Sequence, residues 1–533
     1  MLRNYQMTAK NNVYTHWNNG DKNVLISMAT GTGKTIVFSD IAKDLTAHNN
    51  SVLILSHRNV LSEQAKITLE NYGLTVSLEY KHNHSHETDH LVLSTMQTIC
   101  RRLNMFHQNR FDYIIIDEAH HAAANSYLKI LDYFKNAKVL GVTATPERAD
   151  DRSLSNIFDC LAYEYTIKQA IDDKNLVPIT AKLLTVNINI DDCRTTKGDI
   201  DETDASHAIE PYLENIAKQM ISYCKNKKTV VFLPLVNTAK KFAEILNTYG
   251  FRAIELDGNS KNTNDILHDF EHGKYNVICN AMLLTEGWDC PSIDCVVCLR
   301  PTQSRNLYCQ MVGRGTRLYK NKTKLLLLDF LWLSKKHNLC TPATLTKSED
   351  ISPNLMNYYL KMANKPSNIF NIHISKDTKL RIFKNILDEN ANKTPETINP
   401  IAPEFAFELL DADYQYQPWS IGKKLPTDKQ LKWLQKHHID TANLTCKDAY
   451  HLISIIIAAL PNKNYNSREF NKHNTNSNTT TTLLTKEQKQ YLENKDFTNL
   501  GNCTFNTAAK LIDKIKKNNG KVPTWMNVHF HWE

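Results

Sequence analysis

Met28-Ala29-Thr30-Gly31-Thr32-Gly33-Lys34-Thr35 is the stretch on which the reading of this 533-residue chain turns. It follows an apolar run over 24–28 and precedes residues with helical periodicity, so it reads as strand, loop, helix. Glycines let backbone N–H groups wrap a phosphate, and the positive end of the following helix adds to the attraction. Thr30, Gly31, Thr32 and Gly33 form the cradle. Lys34 is placed to neutralise the outer phosphates of a nucleotide such as ATP, and the Thr35 hydroxyl to ligate Mg²⁺. Met28 stands where the general pattern has its first glycine, and the strand–loop–helix setting restores the assignment.

Downstream, Asp117-Glu118-Ala119-His120 closes a second apolar run over 113–116. Acidic residues at the carboxyl end of a parallel strand sit in the crevice where such sheets bind ligands. Asp117 there can hold Mg²⁺, while Glu118 orients and deprotonates an attacking water. Much later, Gln310-Met311-Val312-Gly313-Arg314-Gly315-Thr316-Arg317 sets two arginines three residues apart, which predicts that they share one helical face. Arginine suits a phosphoryl transition state because its planar fork pairs bidentately. Gln310, Arg314 and Arg317 are the catalytic candidates of this segment, acting when a second lobe closes on nucleotide held by the first.

Between these landmarks, short apolar runs alternate with amphipathic stretches. Runs at 24–28, 52–56, 91–94, 113–116 and 139–142 form one series; runs at 229–233, 253–256, 276–280, 295–299 and 324–328 form another. The alternation predicts two α/β units in tandem, each a parallel sheet covered on both faces. Residues 172–178 read as the connection between them. We place a first lobe over 1–172, a second over 173–345, a helical linker region over 346–424 and a basic helical module over 425–533. Within the last, Thr427, Gln430, Leu434, Ala449 and Leu452 recur as Thr485, Gln488, Leu492, Ala508 and Leu511, across an Asn/Thr-rich connector at 462–482. Each copy reads as two capped helices.

These segments together resemble the superfamily 2 helicases, DEAD/DEAH-type, over residues 1 to about 335. The resemblance implies two tandem RecA-like lobes and a nucleic-acid-stimulated ATPase. Leu2-Arg3-Asn4-Tyr5-Gln6 is similar to the Q motif, implying that Gln6 reads adenine. Leu55-Ser56-His57-Arg58-Asn59 and Ser94-Thr95-Met96-Gln97-Thr98 are similar to nucleic-acid motifs, implying contacts from His57, Arg58 and Thr95. Thr143-Ala144-Thr145-Pro146 matches the motif that couples hydrolysis to strand movement through Thr143 and Thr145. Leu284-Thr285-Glu286-Gly287-Trp288-Asp289 is similar to the fifth motif, with Gly287 and Asp289 at nucleotide and Thr285 at the nucleic-acid backbone.

The wording Thr-Ala-Thr-Pro and Gln-Met-Val-Gly-Arg-Gly-Thr-Arg is similar to excision-repair helicases and to the translocase subunits of restriction enzymes. The implied substrate is therefore DNA, single-stranded or duplex, with ATP hydrolysis coupled to movement on it and its unwinding, in replication, recombination, repair or phage defence. Three alternatives stay open: an RNA helicase, a duplex translocase that moves without unwinding, and a nucleic-acid-responsive ATP switch or scaffold. No nuclease constellation is recognisable, so cleavage would fall to a protein partner such as a nuclease. A replication factor is a second kind of partner, either one docking through the C-terminal module.

Bulk composition agrees. Residues 421–533 carry 17 Lys and Arg against 9 Asp and Glu, accounting for the whole net charge of +8. A basic tail on a neutral body suits contact with a polyanion, and a lysine-rich solvated surface is its plain alternative. Trp419, Trp433, Tyr491, Trp525 and Trp532 lie in or beside that tail; Trp433 and Tyr491 occupy equivalent repeat positions and read as core. No run of about 18 apolar residues spans a membrane, and no signal peptide is legible, so a cytoplasmic location is expected. The twelve cysteines are dispersed, as for reduced thiols. His82, His84, His86 and His90 read as a solvated loop rather than a metal site. Cys295 and Cys298 fall on opposite faces of a strand, and only Cys100 lies where an iron–sulfur insertion would sit.

Overall fold

The computed structural model describes residues 2–459, apart from 57–65, 123–124, 146–153, 197, 258–262, 282–289, 335, 347–350, 392–400, 411–424 and 442–443. Two compact units are distinguished, residues 1–449 and 450–533, and both large sheets belong to the first.

The first sheet is built from β1 (Asn23–Met28), β2 (Val52–Ser56), β3 (Ser77–Glu79), β4 (Leu91–Thr95), β5 (Tyr113–Asp117), β6 (Lys138–Thr143) and β7 (Cys160–Tyr165). Among the described residues their order is β3-β4-β2-β5-β6-β1-β7, every pairing parallel. Its inner strands are apolar almost without interruption because both faces are covered, whereas the edge strands β3 and β7 are not. On β2, Val52 and Ile54 enter one buried layer, with the helices Asn4–Asn18 and Lys34–Ala47. Leu53 and Leu55 enter the other, with Ile99, Tyr127 and Phe134.

The second sheet begins with β8 (Ile179–Asn189), which precedes the separate hairpin of β9 (Thr195–Thr196) and β10 (Asp199–Ile200) in the chain. It continues with β11 (Thr229–Phe232), β12 (Ala253–Glu255), β13 (Val277–Asn280), β14 (Cys295–Cys298), β15 (Leu325–Leu333) and β16 (Ser367–Asn368). The order is β12-β13-β11-β14-β15-β8-β16, parallel throughout except for β16 against β8. Cys295 and Val297 of β14 face one layer and Val296 and Cys298 the other, as period-two alternation requires.

Strand β8 begins just after the expected connection at 172–178, stands outside the apolar runs read from the sequence, and pairs along β15 from Ile179↔Leu325 to Asn189↔Leu333. Its polar residues disguised it. Lys182 is buried, and its ammonium donates to the carbonyls of Lys361 and Ala363, both at 2.7 Å, closing the end of the helix Pro353–Met362. A cation at a helix carboxyl end is favourable, which offsets burial of this lysine; burial nonetheless lowers its pKa.

Asp329 on β15 is buried as well, accepting a hydrogen bond from the Tyr308 hydroxyl. Burial pushes its carboxyl up to about 7. A carboxyl whose folded value is raised lends stability below the unfolded value of about 3.9 and loses it as pH climbs through the folded one. Asp329→Asn keeps an acceptor for Tyr308 and removes the charge. Its melting temperature is expected to exceed that of wild type at pH 8, with a clearly smaller gap at pH 5; an equal gap at both pH values would contradict the assignment.

Beyond the sheets the described chain is mainly helical, with helices Pro353–Met362, Lys376–Ala391, Pro403–Leu409, Asp428–Lys436 and Cys446–Ala459. The last two span the first of the two expected repeat copies. Thr427 caps one through Gln430, and Thr445 caps the next through Asp448. The second copy, the 462–482 connector, and Trp419, Tyr491, Trp525 and Trp532 lie outside the described residues. No helix among the described residues is long and apolar enough to cross a membrane.

Candidate active site

Strand β1 delivers the phosphate loop at its carboxyl end. Gly31 and Gly33 take left-handed backbone at φ +89° and +83°, where a side chain would be strained, and Gly33 opens the helix Lys34–Ala47. Thr32 ties the loop down through Oγ1 to the Ala29 carbonyl at 2.7 Å. The Thr30 hydroxyl is buried and has no hydrogen-bond partner among the described residues. A left-handed glycine pair, a helix start and an unsatisfied hydroxyl together suit an oxyanion ligand, so the residues present fit a nucleotide phosphate.

Strand β5 brings the acidic pair opposite. Lys34 Nζ lies 3.4 Å from Glu118 Oε1, both side chains about nine-tenths buried. Glu118 itself adopts φ +51°, an unusual strain for a non-glycine residue, and its N–H donates to Asp117 Oδ1 at 3.0 Å. Burial alone would raise the Glu118 carboxyl; the Lys34 ammonium and the His120 ring outweigh it and hold the carboxyl well below the usual range. Asp117 is buried beside them, and Thr35 is partly exposed at the first turn of the helix, so the hydroxyl and carboxylate types that Mg²⁺ prefers are available.

Gln6 sits at the same loop, with both ends of its amide engaged. Nε2 donates to the Thr32 carbonyl at 3.0 Å, and Oε1 accepts from the Arg3 N–H at 3.0 Å. Tyr5 adds a hydroxyl bond to the same carbonyl at 2.8 Å and stacks on Tyr165 at 4.4 Å. Sequence reasoning missed both tyrosines: Tyr5 had only its place beside Gln6 as a signal, and Tyr165 lies on β7, a strand not read.

The second sheet contributes the helix Arg305–Gly313 and the turn after it. A Cβ on Gly313 would stand 2.5 Å from Thr30 Cβ, so the glycine permits this helix end to rest directly on the phosphate loop. Arg317 lays its stem over Gly31, where a Cβ would meet its Cγ at 3.2 Å. The expectation that Arg314 and Arg317 share a helical face is corrected here. The helix stops at Gly313, Arg314 is its C-cap, and Arg317 pairs in a bridge with Leu176, with the Val177 N–H donating to the Thr316 carbonyl at 2.8 Å. Gly313 and Gly315, poor in helix interiors, let the chain leave the helix. Both arginines are largely buried, and burial lowers Arg317 to about 10, still cationic at neutral pH. Gln310 is buried in the same helix, 3% exposed.

The coupling residues close the picture. Thr143 ends β6, and its Oγ1 donates to the Thr145 carbonyl at 2.9 Å; Thr145 Oγ1 donates to Asn306 Oδ1 at 3.0 Å. Thr95 caps the helix Met96–Arg102 by accepting from the Thr98 N–H at 3.3 Å, and is 3% exposed. His57, Arg58, Thr285, Gly287 and Asp289 lie outside the described residues.

Residues 1–148 match the family described as the res subunit of type III restriction enzymes, and residues 213–319 match the helicase conserved C-terminal domain. Against a mitochondrial ATP-dependent helicase, irc3, as it is described, of Schizosaccharomyces pombe, the chain is 30% identical over 425 residues, covering 75% of this chain and 69% of that protein. The chain belongs to the superfamily 2 helicases. Another relative within this ATP-hydrolysing family is the Saccharomyces cerevisiae protein described as ATP-dependent helicase IRC3, 33% identical over 375 residues. That match covers 66% of this chain and 54% of the relative, so the chain spans about half its length. Among solved structures, a fragment described as the HsdR subunit of a type I restriction enzyme from Vibrio vulnificus YJ016 superposes with a TM-score of 0.51 at 26% identity. It covers 62% of this helicase and 64% of the fragment.

Proposed function

We propose that this helicase is an ATP-driven DNA translocase whose nucleotide is held by the first sheet and completed by the second. The observation that carries the reading is the packing of Gly313 on Thr30, which brings the arginine-bearing turn of one sheet onto the phosphate loop of the other. Hydrolysis at such a junction requires the sheets to close, and release of products lets them part.

In this reading Lys34 leaves Glu118 for the outer phosphates of ATP. The carboxylate then loses its main cationic neighbour and becomes a better acceptor for the proton of an attacking water. Mg²⁺, held by Thr35 and Asp117, supplies charge neutralisation on the phosphates when bound. Arg314 and Arg317 stabilise the charge that develops as the terminal P–O bond breaks. Gln6, already bonded to Thr32, reports adenine occupancy to the loop, and Gly287 and Asp289 meet the nucleotide as members of the fifth motif. Thr143 and Thr145 carry the state of the nucleotide toward DNA, which His57, Arg58 and Thr285 contact. Thr95 shapes the start of its helix, its hydroxyl being committed to the cap.

DNA is favoured over RNA by the likeness to restriction-enzyme subunits. ATP turnover measured with duplex DNA, single-stranded DNA and RNA tests this directly. At least tenfold stimulation by DNA, and less by RNA, is expected; stimulation by RNA alone would overturn the substrate assignment.

A further inference from the structure

We propose that Asn306 is a positioning residue that joins the two sheets through one carboxamide and transmits the hydrolytic state of the acidic motif to Thr145. Asn306 lies in the first turn of the helix Arg305–Gly313, which Ser304 caps by accepting from the Leu307 N–H at 3.3 Å. From there the side chain crosses to the first sheet. Its Nδ2 donates to His120 Nε2 at 2.7 Å, and its Oδ1 accepts from Thr145 Oγ1 at 3.0 Å. With Nε2 serving as acceptor, the neutral imidazole carries its proton on Nδ1. That nitrogen faces Glu118 Oε2 at 3.3 Å and Thr143 Oγ1 at 3.4 Å. His120, Thr143 and Thr145 are all at most 7% exposed, so these bonds are shielded from water.

The amide therefore has a donor and an acceptor used on two different motifs of the opposite sheet. Rotation of the Glu118–His120 segment on hydrolysis draws on the donor, and parting of the sheets breaks both bonds together. Two bonds to one rigid amide form and break as a unit, which makes the contact a two-position element rather than a graded one. None of the residues assigned to phosphate or DNA is needed to state this, because Asn306 touches neither.

The inference rests on the proposed reading of the site as an ATPase coupled to DNA, and Lys34→Ala serves as its separate control. Steady-state ATP hydrolysis with saturating duplex DNA is measured for wild type, Asn306→Ala, Thr145→Ala and the double variant, with thermal melting of each. Asn306→Ala is expected to lower the DNA-stimulated kcat at least tenfold with KM for ATP within threefold of wild type. The double variant is expected to be no more than threefold below the poorer single one, because both substitutions break the same bond. Asn306→Ser, shorter but still polar and compatible with the helix start, reports the same kcat loss if Asn306→Ala melts early. Wild-type stimulation in Asn306→Ala or Asn306→Ser, a loss confined to KM, or losses that multiply in the double variant would each overturn the proposal. Retained hydrolysis in Lys34→Ala would instead sink the reading of the site.

Discussion

Lys34→Ala is expected to lower ATP turnover by about a thousandfold, in line with removal of a charge that stabilises a transferring phosphoryl group. The same substitution has a consequence for stability. Glu118 is about nine-tenths buried and leans on the Lys34 ammonium 3.4 Å away. Removing one partner of a buried pair leaves the other uncompensated, at a cost of roughly 3 kcal/mol when no other cation is near. The His120 Nδ1, 3.3 Å from Glu118 Oε2, softens that cost as a hydrogen-bond donor. Because the native Glu118 carboxyl is held low, its contribution to stability is present above about pH 4.3 and lost as pH falls. The melting deficit of Lys34→Ala should accordingly be largest at neutral pH and shrink in acid. Adding Glu118→Gln should restore the melting temperature at neutral pH without restoring hydrolysis. Recovery of both together, or of neither, would contradict the pairing.

Arg317→Met is expected to cost about a thousandfold in kcat, the lower end of what an arginine finger contributes. The Arg317 stem packs over Gly31, and methionine is a flexible apolar side chain able to fill the same space, so thermal melting separates the catalytic loss from misfolding. Arg317→Lys should fail nearly as badly as methionine in turnover, since a point charge cannot reproduce the planar fork. A methionine variant with unchanged kcat would remove Arg317 from the chemistry and leave Arg314 to carry it.

The fold was legible where strands are buried on both faces. Residues 52–55 and 113–116 are unbroken apolar runs because helices cover both sides of the sheet. Strands at the margins escaped. Ser77–Glu79 is three residues long, and Cys160–Tyr165 alternates with exposed positions such as Leu161 at the edge beyond β1. Ile179–Asn189 lies beside the two-residue edge strand β16 and includes Lys182, whose carbonyl partners Lys361 and Ala363 are 179 and 181 residues away in sequence, and distant partners leave no local trace. The site was legible for the same kind of reason in reverse. Glycines at φ +89° and +83°, a lysine at a helix start and two carboxylates after a strand are local requirements, so they leave a local pattern. Asn306 leaves none. An asparagine in a helix's first turn has an ordinary explanation, and only the packed sheets reveal that its amide meets His120 and Thr145. The arginines were misplaced on one helical face because a three-residue spacing looks the same whether or not Gly313 ends the helix between them.

The central claim is that ATP turnover between the two sheets moves the protein along DNA. Displacement of a third strand from a duplex bearing a triplex, followed with ATP and with a non-hydrolysable analogue, tests it most directly because no base pair of the duplex need open. The account predicts release of the third strand with ATP, none with the analogue and none for Lys34→Ala. DNA-stimulated ATP hydrolysis that leaves the third strand in place would contradict it and make the junction a switch rather than a motor.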